Sequence, residues 1–142
     1  MPECGVKIES NPTSGTQAVA ANEVDMAYAL MILEPAGQRQ SRTPEEGRDL
    51  YERMLQFSGE LKSRGVLTMT ASLTSDAHGA RVRVRSGQPT VLDGPFAETK
   101  EMIGGFFILT CETRDDAIAI AKQCPAAKWA TVEVRELGPC FN

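Results

Sequence analysis

Met26-Ala27-Tyr28-Ala29-Leu30-Met31-Ile32-Leu33 is an unbroken apolar run of strand length. Successive side chains of a strand point to opposite faces, so a strand apolar on both faces belongs in the middle of a sheet that is covered on both sides. Gly104-Gly105-Phe106-Phe107-Ile108-Leu109-Thr110-Cys111 reads the same way. Two other segments alternate instead. Val66 to Leu73 places Leu67, Met69, Ala71 and Leu73 on one face and Val66, Thr68, Thr70 and Ser72 on the other, and Ala130 to Leu137 sets Ala130, Val132 and Val134 against Thr131, Glu133 and Arg135. Strands with one wetter face suit the edges of a sheet.

Helical signals fall between these strands. Thr43-Pro44-Glu45-Glu46 predicts a helix start: Thr43 can cap, Pro44 suits the first helical position, and Glu46 closes a capping box. Leu50, Met54, Phe57 and Leu61 recur at helical spacing and Gly65 fits the stop. Thr113-Arg114-Asp115-Asp116 opens a second helix carrying Ile118, Ala121 and Cys124, which Pro125 ends. Arg81-Val82-Arg83-Val84-Arg85 alternates strictly, turns at Ser86-Gly87 and returns through Thr90-Val91-Leu92 as a hairpin. The order β, α, β, inserted hairpin, β, α, β is that of an α+β, ferredoxin-like (split βαβ) subunit with its first and third main strands central. With both helices on one face, either Tyr28, Leu30 and Ile32 or Met31 and Leu33 would meet water on the other. A contiguous apolar sheet face usually marks an interface, so a homodimer is expected.

The chain has 142 residues, 42% hydrophobic and 6% aromatic, and a net charge of −4. That is one domain, large enough for a core without disulfide or metal staples. Residues 1–25 hold no aromatic residue and no sustained period, and read as a mobile N-terminal arm before a domain at 26–138 and a tail at 139–142. The arm carries Lys7 against Glu3, Glu9, Glu23 and Asp25, a net of −3, which leaves −1 for the remainder. The domain is therefore nearly neutral. It lacks a clustered basic, aromatic-bearing surface, which excludes a nucleic-acid binder. Cys4, Cys111, Cys124 and Cys140 have no C-x-x-C spacing, and His78 is the single histidine, so neither metal nor cofactor is expected. Spacing leaves a Cys111–Cys124 disulfide open, but reduced thiols in a cytoplasmic protein are the expected state. No run approaches the roughly 18 apolar residues of a membrane span.

The unusual segment is Asp93-Gly94-Pro95-Phe96-Ala97-Glu98-Thr99-Lys100-Glu101. It has two readings. In one, Asp93 bonds the backbone of a turn and Glu98, Lys100 and Glu101 are solvated. In the other, Asp93 and Glu98 come together, their repulsion raises one pKa, and a proton donor stands beside an acceptor. Arg81, Arg83 and Arg85 share one strand face: either they form an edge-protecting row paired with Glu98 or Glu133, or Arg83 enters a pocket and holds an anion in its guanidinium fork. Trp129, Phe106 and Phe107 are most simply core or interface residues.

The same segment, followed by Gly104-Gly105, resembles the signature of DGPF-domain proteins of the YCII-related family. The resemblance extends from about Tyr28 to Leu137, including Arg81-Val82-Arg83-Val84, Cys124-Pro125-Ala126-Ala127 and Thr131-Val132-Glu133-Val134-Arg135. It implies a dimeric α+β barrel of ferredoxin-like subunits. Many such proteins resemble companions of extracytoplasmic-function sigma factors, which implies a sigma-factor partner. In other YCII-related proteins a His and an Asp are suspected to share a pocket, and their Asp corresponds to Asp93. The His is missing here, since residues 34–64 contain none. His78, in the loop Ser75-Asp76-Ala77-His78-Gly79, is the substitute the sequence offers. The expected site is thus Asp93, Glu98 and His78 as catalytic groups, with Arg83, Phe96 and Lys100 binding a small anionic molecule. The alternative is a non-enzymatic accessory or regulatory protein associated with a sigma factor.

Overall fold

The structure, a computed structural model, describes residues 26–141. The arm expected at 1–25 lies outside the described residues. Strand β1 spans Ala27–Pro35, helix α1 Pro44–Ser63, β2 Leu67–Ser72, β3 Ala80–Arg85, β4 Gln88–Asp93, β5 Glu101–Thr110, α2 Arg114–Gln123 and β6 Thr131–Glu136. Four of these strands form an antiparallel sheet in the order β2-β5-β1-β6, and β3-β4 form a separate two-stranded ribbon. The two continuously apolar strands are central and the two alternating strands are edges, which is the ferredoxin-like arrangement with an inserted hairpin.

Local chemistry sets the boundaries. Thr43 Oγ1 accepts from the Glu46 amide at 3.2 Å while the Thr43 amide donates to Glu46 Oε2 at 3.3 Å, closing the capping box of α1. Thr113 Oγ1 accepts from the Asp116 amide in the same way for α2. Gly65 takes a φ of 74° just past α1. Ser86 and Gly87, at φ 52° and 74°, make the two-residue turn whose twist matches the β3-β4 strands.

Tyr28, Leu30 and Ile32 are the β1 side chains that face the helices. They pack with Phe107 and Leu109 of β5, Phe57 and Leu61 of α1 and Ala117 and Ile120 of α2. Leu30, Leu61 and Leu109 are completely buried, each contributing about 1.5–3 kcal/mol. The Phe57 and Phe107 rings meet edge to face with centroids 5.4 Å apart. Ala29, Met31, Leu33, Phe106 and Ile108 point to the opposite face, where neither helix lies, and are half-buried.

One expectation of register changes. A bulge between Leu67 and Met69 inserts Thr68 into β2. Leu67 therefore pairs with Leu109 on the helix side, while Met69 pairs with Ile108 on the open side. The single face expected for Leu67, Met69 and Ala71 is split, because one extra residue reverses the side-chain alternation beyond it.

Cys111, Cys124 and Cys140 are free thiols, the first two buried. Burial pushes the Cys111 and Cys124 pKa values up from 9.0, with the Asp116 carboxylate adding to the rise at Cys111. A folded pKa above the unfolded one gives stability that is complete below the unfolded value and is lost as pH rises through the folded value. The thermal midpoint is expected to fall as pH rises above 9.0, where the unfolded thiols ionise and the buried ones resist, and the Cys111→Ala/Cys124→Ala double variant to lose less over the same rise. Equal losses in both proteins would contradict the assignment.

Candidate functional site

The Asp93 segment is held by backbone contacts and by one arginine. The Gly94 amide donates to Gly79 O at 2.8 Å, next to the short turn Asp76–His78. A Cβ at Gly94 would overlap Asp76 O, so this close approach of two backbones requires glycine. The peptide Gly94-Pro95 is cis. Arg81 lies over the Phe96 ring at 3.9 Å from its centroid, and its Nη2 donates to Thr99 Oγ1 at 2.9 Å. Arg81 was grouped by sequence with Arg83 and Arg85 in an edge row; its role here is to bind the loop that follows β4.

The structure brings the backbone of Asp93 and Gly94 against the turn that contains His78. It does not enclose the side chains. Asp93, Glu98, His78, Arg83 and Lys100 are all exposed, and Phe96 is half-buried under Arg81. The pairing of Arg81 or Arg83 with Glu98 or Glu133 is not formed: Glu133 pairs with Arg135 at 3.5 Å and Arg81 with Thr99. Among the described residues no cluster of three or more His, Cys, Asp or Glu side chains could hold a metal.

A cavity of about 540 Å³ lies elsewhere, between α1 and the sheet. Ile32, Leu50, Met54, Phe107 and Trp129 give it apolar walls. One end is closed by an ion pair that links three strands. Arg39 Nε donates to Glu34 Oε2 at 2.8 Å and Arg39 Nη2 to Glu34 Oε1 at 3.1 Å. The same guanidinium donates through Nη1 to Leu73 O at 2.8 Å and through Nη2 to Gly104 O at 3.3 Å. Glu34 is 8% exposed. Such a carboxylate is tolerable inside a fold because both oxygens are satisfied by a bidentate cation.

The two glycines of β5 make this possible. A Cβ at Gly104 would overlap Glu34 Oε1, and one at Gly105 would come 2.9 Å from Ala71 O. The β1-β5 register also shifts here: Ile32 pairs with Gly105 and Leu33 with Ile103, so Gly104 is the extra residue of a bulge. Sequence reading did not reach Glu34, Arg39 or Arg42. The available signal was the phase of β1, in which Tyr28, Leu30, Ile32 and Glu34 fall on one face, so a carboxylate occupies a core position.

Fold and site together define a ferredoxin-like α+β domain with an inserted hairpin and a small-molecule-sized cavity under its first helix. The YCII-related domain matches residues 26–140, and the chain belongs to the YCII-related family. It is 30% identical over 114 residues to an uncharacterized protein of Rhizobium meliloti (strain 1021), covering 79% of this chain and 92% of that protein.

Proposed function

We propose that the protein is a homodimer that binds a small organic molecule in the cavity between α1 and the sheet. The observation that carries this reading is the cavity itself. Its volume lies within the roughly 300–1,000 Å³ of ligand sites, and its lining is apolar with a few convergent polar groups, Glu34, Arg39 and Arg42. Dimerisation is supported by the open sheet face of Met31, Leu33, Phe106 and Ile108, which a second copy of the same face would cover. Acid-base chemistry at Asp93, Glu98 and His78, with Arg83, Phe96 and Lys100 as ligand contacts, belongs to this reading only in the dimer. The exposed side chains of that segment need a second subunit to exclude water.

A second reading is an accessory protein docked on an extracytoplasmic-function sigma factor. It is favoured by the ribbon β3-β4, where Val82, Val84 and Val91 share one face and are 65%, 57% and 65% exposed.

The chain has one tryptophan, Trp129, and it lines the cavity. A screen of small organic molecules is expected to yield compounds that shift Trp129 emission; a screen without any such compound would contradict cavity binding. Light scattering is expected to give the mass of two chains, and Phe106→Asp to give one. The accessory reading predicts instead a single-chain mass that rises only when a purified sigma factor is added.

A further inference from the structure

The charges around the cavity do not cancel. Glu34 and Arg39 neutralise each other through their bidentate contact, in which each Glu34 oxygen already accepts from the guanidinium. Arg42 is the other charged residue of the lining. It is half-buried, and its guanidinium has no hydrogen bond or ion pair among the described residues. An unpaired arginine on the lining of a largely apolar-walled cavity offers a fork for a carboxylate, because partial desolvation strengthens a bidentate pair. The rim adds a second feature. Tyr51, Leu55 and Leu73 border the cavity and are 50%, 51% and 40% exposed, which extends an apolar track outward from the interior.

We infer that the cavity takes an amphipathic monoanion, a carboxylate carried on an apolar body, with the carboxylate on Arg42 and the body along Leu50, Met54, Phe107 and Trp129. This rests on the cavity being a ligand site and adds its chemical class. One net positive charge in the lining matches a single negative charge. A dianion would leave a charge unpaired in an apolar enclosure, and a cation would face Arg42 with no free carboxylate to receive it. The polar hydroxyls of Ser58, Thr70 and Ser72 lie on the same lining and allow a substituent on the body.

Gly47 supplies a control that separates occlusion from misfolding. It sits in α1 on the cavity wall, and a Cβ there meets nothing within 4 Å. A side chain at this position therefore projects into empty space, and replacing a helical glycine by leucine favours the helix.

The experiment is a calorimetric titration of the full chain with octanoate, octanol and octyltrimethylammonium, read in parallel by Trp129 emission. Octanoate is expected to bind one per chain and more tightly than octanol, with no binding of the cation. Arg42→Gln is expected to weaken octanoate about tenfold or more and to leave octanol unchanged. Gly47→Leu is expected to abolish both without lowering the thermal midpoint. Equal affinity for octanoate and octanol, unaffected by Arg42→Gln but lost in Gly47→Leu, would overturn the anion assignment while keeping the cavity as a site. Binding of octanoate that persists in Gly47→Leu, or no binding of either compound at millimolar concentration, would overturn both.

Discussion

One guanidinium joins the ends of three strands. Arg39 reaches from the loop after β1 to both oxygens of Glu34, to Leu73 O beyond β2 and to Gly104 O in β5. The Leu73 amide itself donates to Gly104 O at 2.9 Å, so the same corner is also tied through the backbone. A buried ion pair is weak evidence for net stability, since desolvating both groups offsets most of their attraction. Removing one partner is another matter, because the remaining charge is left without compensation and costs about 3–5 kcal/mol. The arrangement therefore constrains neighbouring choices. Gly104 has to lack a side chain, β5 has to bulge, and Glu34 has to stay on the helix-facing side of β1. The closed end of the cavity is a consequence of these requirements.

The central and edge strands, both helix caps and the hairpin turn were legible because each rests on local chemistry. A continuous apolar run, an S/T-x-x-E/D cap or a Ser-Gly turn needs only neighbours a few residues away. The β2 face was misread for the opposite reason. Thr68 is an ordinary residue in an alternating segment, and its bulge is dictated by the partner strand rather than by its own sequence. Glu34 and Arg39 escaped in the same way. Each is unremarkable beside Pro35, Gly37 and Gln38, and their pairing is defined by carbonyls 34 and 65 residues further along from Arg39.

The Asp93 segment shows how a specific signature can be read correctly for kinship and remain open for chemistry. It identified the family, and its glycines have concrete causes: Gly94 lies against Asp76 O, and Gly104 against the Glu34 carboxylate. Phe96 is held by Arg81 and Thr99 by the same guanidinium. Much of the signature thus fixes backbone approaches. The cavity draws Gly104 and Gly105 from the end of the signature and the rest of its lining from β1, α1, the loop between them, β2, the following part of β5 and the turn after α2. A fold or motif by itself assigns no reaction, and the side chains around an enclosed volume are the better guide.

The central claim is that Glu34 and Arg39 act as a unit that shapes this corner. A double-mutant cycle tests it most directly, with Glu34→Ala, Arg39→Ala and the pair compared by urea unfolding of the full chain. The account predicts that the double variant loses less than the sum of the single losses, by about 1.5–3 kcal/mol. Losses that add to within about 0.5 kcal/mol would show that the two side chains are not coupled and would contradict it.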